Sequence, residues 1–145
     1  MNESLGRWVS IIHRYSRSFI DKEFAELDVK GGHLPFIRVL YQQDGLSQDE
    51  LSEALGMDKT TTARAIKKLV ELGYVAKKRD SQDKRFYRLS LTAKGKDIVP
   101  RIERALEHWT EGLATGFTEK ERQLALDLLK KMAENAAAFK QRGFS

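Results

Sequence analysis

The chain of 145 residues has no cysteine, only two prolines and only three histidines. Without a thiol there is no disulfide, no thiolate metal ligand and no cysteine nucleophile. His13, His33 and His108 fall on different predicted helices without the spacing of metal ligands, so no metal site is expected. A glycine loop for cradling phosphate and a nucleophile elbow are both missing, so no catalytic residue is expected either. No apolar run approaches the roughly 18 to 20 residues of a membrane span, and the opening MNESLGRW lacks the apolar core of a signal peptide. The expectation is a cytoplasmic protein without a membrane partner. A chain of this length is one domain by prior, which excludes a multi-domain enzyme.

What the sequence does have is helical periodicity and charge. From Glu3 to Leu27 the apolar residues Leu5, Trp8, Ile12, Tyr15 and Phe19 recur at spacings of three and four, predicting a long amphipathic helix that Gly31 and Gly32 break. Pro35 suits the first turn of a second helix carrying Phe36, Ile37, Val39 and Leu40. Ser47 with Glu50 has capping-box spacing and predicts a short helix from about Gln48 to Leu55, after which Gly56 turns the chain. Asp58 is an N-cap for the next helix, with Thr62, Ile66, Leu69 and Val70 on its inner face and Gly73 at its stop. Beyond Gly73 the period drops to two in YVAKKR and RFYRLSL, which predicts a β-hairpin whose tip, Asp80 to Lys84, has no apolar residue. Thr92 caps a long helix in which Pro100 removes one internal hydrogen bond, and Thr118 opens a last helix with a Leu128, Met132, Ala136, Phe139 stripe. The fold class is mainly α with a small β-hairpin.

The charge is segregated. Lys and Arg number 26 against 21 Asp and Glu over the whole chain, a net charge of +5. The segment from Asp58 to Lys96 alone holds twelve basic and four acidic residues, a surplus of eight, so the remainder is net acidic. With Ile66 as the buried centre, Thr60, Thr61, Arg64, Lys67, Lys68 and Glu71 fall on the opposite face of the helix after Asp58. A helix with such a face, joined to a shorter one by a tight turn, is what the major groove of B-DNA admits. Thr61, Arg64 and Lys68 are therefore expected at base edges, with Lys59, Thr60, Lys77, Lys78 and Lys84 on phosphates. In the hairpin tip Arg79, Lys84 and Arg85 lie close together. Asp83, two residues before Arg85, would hold that arginine extended for a narrow minor groove.

The run LSEALGMDKTTTARAIKKLVELGYVAKKRDSQDKRFYRLSLTAKG resembles the winged helix-turn-helix core of the MarR family of transcription regulators. The resemblance rests on Leu51 and Leu55, the Asp58 to Arg64 run, the Leu69 to Gly73 stop, Asp83-Lys84-Arg85, and Leu91-Thr92 followed by Gly95. It implies one domain, 1–145, with a DNA-binding module at 33–92 between dimerisation helices at 1–30 and 93–145. It further implies a homodimer on a pseudo-palindromic site, with Arg85 as the wing arginine and Asp83 orienting it. Many members are released from DNA by phenolic or aromatic carboxylates bound between the dimer helices and the winged module. The resemblance therefore offers Arg17, His33, Phe36, Met57 and His108 as ligand-binding candidates, with such an acid as effector and no cofactor. The function expected is a sequence-specific double-stranded DNA-binding repressor or regulator. The alternative is a winged-helix protein-interaction module without specific DNA readout, which would not require the basic segment.

Overall fold

The structure, a computed structural model, describes residues 3–145. The elements are helices and one two-stranded sheet, as the periodicities predict. Helix α1 runs over Leu5–Glu23, its N-terminus capped by the Ser4 hydroxyl, which accepts from the Arg7 amide. It is shorter than its apolar pattern suggests. Phe24 and Val29 are both fully buried, so the chain must fold back between them, and it does so in a 3-10 turn at Ala25–Leu27 that closes on Asp28 at φ 56°. Gly31 and Gly32 are not the break. They belong to a second 3-10 turn, Gly31–His33, that leads straight into α2 at Leu34–Gln42, with Pro35 in its first turn.

The next two helices begin and end at the expected signals. Helix α3, Gln48–Leu55, starts where the Ser47 hydroxyl accepts from the Glu50 amide and stops at Gly56, φ 63°. Helix α4 occupies Lys59–Glu71 behind the Asp58 cap. Its inner face is rotated from the predicted one: Thr62, Ile66 and Leu69 are buried, but Ala65 joins them and Val70 remains 37% exposed. The small alanine takes the inward flank, where a bulkier side chain would hold the helix away from the core.

Strands β1, Val75–Arg79, and β2, Tyr87–Leu91, pair antiparallel from Val75↔Leu91 to Arg79↔Tyr87. Leu46 adds a one-residue bridge to Leu89, tying the α2–α3 loop to the hairpin. Leu89 and Leu91 face the core and Tyr87, at the tip end, is exposed. Phe24, Phe36, Ile37, Leu40, Leu51, Ile66, Leu69, Leu89 and Ile102 are fully buried in one cluster. Each contributes on the order of 1.5 to 3 kcal/mol of burial.

Helix α5, Ala93–Leu113, passes through Pro100 without interruption. Its first turn is fastened to the end of α4 and the start of β1. Thr92 donates its hydroxyl to the Gly73 carbonyl (2.6 Å) and its amide to the Tyr74 carbonyl (3.0 Å), and Lys94 Nζ reaches the Leu72 carbonyl (2.7 Å). Gly95 is required by this closeness, because a Cβ there would sit 2.2 Å from the Tyr74 carbonyl oxygen.

The chain divides into two compact units between Trp109 and Thr110. The second holds helix α6, Glu119–Gln141, opened by a reciprocal capping box between Thr118 and Glu121. None of its residues is buried, and Leu124, Leu126, Leu128, Leu129 and Phe139 are exposed. In the first unit α1 likewise exposes Leu5 (72%), Trp8, Val9, Ile12 and Tyr15 (68%). Among the described residues no helix is long and apolar enough to cross a membrane.

Candidate nucleic-acid interface

Burial of Thr62, Ala65, Ile66 and Leu69 fixes which face of α4 looks outward. The Asp58 carboxylate accepts both the Thr61 amide and the Thr61 hydroxyl, each at 2.7 Å, and these bonds hold its pKa below the usual carboxylate range. The cap is thereby ionised at neutral pH and rigid. It also spends the Thr61 hydroxyl proton, so that side chain offers an acceptor rather than a donor. The Thr62 hydroxyl donates to the Asp58 carbonyl from a fully buried position, which removes a polar cost from the core.

Thr60, Arg64 and Lys67 are exposed on the outward face, and Arg64 has no ion-pair partner among the described residues. Lys59 makes only a long, solvated contact with Asp49, at 3.5 Å. Lys68 differs from the sequence expectation. Its Nζ lies 2.8 Å from the Asp28 carboxylate, and the hydrogen bond raises the pKa of the lysine and lowers that of the aspartate. It ties α4 to the turn after α1 instead of standing free beside Arg64.

In the hairpin, Lys77 and Arg79 lie against the Tyr87 ring at 5.0 and 5.1 Å, and Lys78 is exposed. The tip is built from polar bonds alone. Asp80 donates its amide to the Phe86 carbonyl and accepts the Gln82 amide, and Arg79 Nη1 donates to the Lys84 carbonyl at 2.7 Å. Asp83 receives Arg85 twice, from Nε at 3.0 Å and Nη2 at 2.8 Å, as well as the Arg85 amide. That pair holds the Asp83 carboxyl low and leaves the Arg85 side chain 84% exposed. Sequence spacing anticipates this pair.

Spacing does not anticipate Arg88. Its guanidinium joins Glu50 of α3 (2.8 Å), the Asp80 carboxylate (3.0 and 3.2 Å) and, at 3.4 Å, the Gly45 carbonyl. The only hint was Glu50, read as a capping residue. Its carboxylate does receive the Ser47 hydroxyl, but it also faces Arg88 across the sheet edge.

The five ligand candidates are scattered. A cavity of about 430 Å³ opens between α1, the Gly31–Gly32 turn, α2 and the α3–α4 turn, and Arg17 and Met57 line it. The Arg17 side chain lies across the two glycines, where a Cβ on Gly31 would come within 2.8 Å of its Cδ. The other three candidates do not line it. Phe36 is 0% exposed and belongs to the core. His33 turns its Nδ1 to accept the Lys30 amide at 2.9 Å, and burial pushes its pKa down. His108 is exposed and sits beside the Phe19 ring, at 6.0 Å. Sequence reading missed His13 and Arg38, which do line the cavity, although His13, Arg17 and Ile20 share one helical face by spacing.

A short helix, a tight turn, a capped helix with an outward basic face and a basic hairpin behind it define a winged helix-turn-helix module. The family model for the MarR family matches residues 27–85. The HTH-type transcriptional regulator YybA of Bacillus subtilis is 37% identical over 135 residues, covering 93% of this chain and 89% of its own. A MarR transcriptional regulator from Methanosarcina mazei superposes with a TM-score of 0.87 at 38% identity, over 93% of this chain and 97% of the other. A MarR family regulator from Listeria monocytogenes, solved with a 26mer DNA, superposes with a TM-score of 0.83 at 34% identity, over 98% and 97% of the two chains. This chain belongs to the MarR family, a family of transcriptional regulators and not of enzymes.

Proposed function

We propose that this protein binds a pseudo-palindromic operator in double-stranded DNA as a homodimer, represses the adjoining gene by occluding its promoter, and is released by a small aromatic acid. The observation that carries the reading is the Arg85 tip. A guanidinium held by two hydrogen bonds, at a hairpin tip without apolar anchors, is presented outward on a module whose α4 cations also face out. Arg64 reads base edges with Thr60 and Lys67 beside it. Lys59, Lys77, Lys78 and Lys84 meet phosphates. Lys68 reaches DNA only by leaving Asp28. The exposed apolar faces of α1 and α6 support self-association, since each is covered when a second copy buries it.

The effector part rests on the cavity. Arg17 supplies a cation at its wall, Met57 and Leu106 an apolar lining, and the cavity touches both α1 and the turn leading into α4. A dimer reads two half-sites only when its recognition helices are about 34 Å apart, so an acid that favours another spacing weakens both contacts.

Selection of bound genomic fragments, followed by fluorescence anisotropy on the selected and a scrambled duplex, tests this reading. Tighter binding of the selected duplex and a steep salt dependence are expected. Equal affinity for both duplexes, or a folded monomer at micromolar concentration in sedimentation, overturns it. Salicylate added at constant ionic strength should weaken operator binding by wild type more than by Arg17→Ala. An equal effect on both removes the cavity from the reading and leaves DNA binding standing.

A further inference from the structure

Among the described residues, Arg88 is the wing arginine whose guanidinium bonds to the body of the module. Its guanidinium contacts three separate stretches of chain: Gly45 in the loop before α3, Glu50 in the first turn of α3, and Asp80 at the root of the tip. Asp80 in turn accepts the Gln82 amide and, through its own amide, closes the turn onto Phe86. These bonds together hold the carboxyl of Asp80 low and raise the pKa of Arg88, so the carboxylate and the guanidinium are both charged at neutral pH. Beyond Lys77 the hairpin has no buried residue on β1, and Leu89 is the last buried one on β2 toward the tip. Beyond the Leu46–Leu89 bridge no apolar side chain of the outer hairpin is buried, so the charged bonds of Arg88 are what join Asp80, at the root of the tip, to α3.

We propose that Arg88 is a positioning residue for the wing: by bridging Glu50 and Asp80 it sets where Arg85 is presented relative to the recognition helix, and it makes no contact with DNA itself. A planar guanidinium suits the task because it can serve two carboxylates that approach from different sides, whereas a lysine ammonium on a flexible stem imposes no such angle. The two partners also explain why a cation beside the interface is not offered to phosphate. Most of its donors are already committed, and to turn toward phosphate it would have to leave Glu50 or Asp80.

The inference rests on the reading that Arg85 is a DNA contact, so its test has one arm without DNA. The absence of cysteine lets a nitroxide be placed uniquely at Gln82→Cys, an exposed tip position whose amide, not its side chain, is used. In the free protein the spectral line should narrow on Arg88→Gln and, to a smaller degree, on Glu50→Ala, which keeps the test alive if the first variant does not fold. An unchanged line in a folded variant overturns the proposal. With DNA, Arg88→Gln should weaken binding to an A·T-flanked operator by about fivefold to tenfold, while the preference for operator over scrambled half-sites persists, because α4 is untouched. The salt slope should not change. A slope lower by about one unit marks Arg88 as a phosphate ligand and overturns the proposal. In an Arg85→Ala background the same substitution should cost less than about twofold, and a full loss there also overturns it. Failure of Arg85→Ala to affect DNA binding at all would strike the minor-groove reading alone, since the nitroxide result stands apart from it.

Discussion

The outer face of α4 and the tip of the hairpin carry the same kind of charge but hold it by opposite means. On α4 the backbone is fixed from beneath by Thr62, Ile66 and Leu69, so Arg64 and Lys67 can be left loose in solvent and still be aimed. At the tip no side chain is buried, and each arginine is tethered: Arg85 to Asp83, Arg79 to the Lys84 carbonyl, Arg88 to Asp80 and Glu50. Where hydrophobic burial supplies rigidity, polar groups are free to bind. Where it does not, carboxylates on Arg85 and Arg88 and a backbone carbonyl on Arg79 take its place, and those acids account for why the tip is less positive than its arginines suggest.

The contrast breaks most visibly in stability. Ile66→Ala should destabilise the fold by about 2 to 5 kcal/mol, while Asp83→Ala should stay within about 0.5 kcal/mol of wild type. Chemical denaturation at one fixed protein concentration measures both, because subunit association contributes to the midpoint. A loss at Asp83 as large as that at Ile66 would mean the tip is part of the core. A smaller effect separates residues along α4. Arg64→Ala should remove about 1 to 3 kcal/mol of discrimination between operator and scrambled duplex, and Lys68→Ala should leave discrimination intact because its charge is spent on Asp28. Equal losses would show that Lys68 abandons that partner on DNA.

The smallest effect is on pH. Asp80, Asp83 and Asp58 all have lowered pKa values, chiefly from hydrogen bonds to backbone or to Arg85. A depressed carboxylate contributes fully above its ordinary range, about 3.9 for aspartate, and the contribution fades only as pH falls through the lower folded value. The amide resonances of Gln82, Arg85 and Thr61, each donating to one of these carboxylates, should therefore stay flat from pH 8 to pH 5 and move only in stronger acid. Movement of Gln82 or Arg85 above pH 4.5, with Thr61 still flat, would show the tip tethers to be weaker than the helix cap.

The two regions were also unequally legible. The bounds of α3 follow from Ser47 and Gly56, and the Asp83–Arg85 pair from a spacing of two, because in both cases the partners are neighbours in sequence. Arg88 meets Glu50 and Gly45 across 38 and 43 residues, and no local pattern encodes such a meeting. The same limit hid Lys68–Asp28 and placed Phe36 in a ligand site when the packing of α2 makes it core. The end of α1 was overrun for a related reason. The apolar period continues through Phe24 and Leu27, and only the position of the core shows that these residues are reached by turning.

The fastening of α5 turns that helix into a lever. Three bonds and the contact at Gly95 clamp its first turn to the winged module, so the module cannot tilt without applying torque to the helix. Beyond that grip, Pro100 offers no N–H to the Lys96 carbonyl, so the helix there lacks one of its internal hydrogen bonds. The rod is therefore braced at its grip and lacks one internal bond just beyond it.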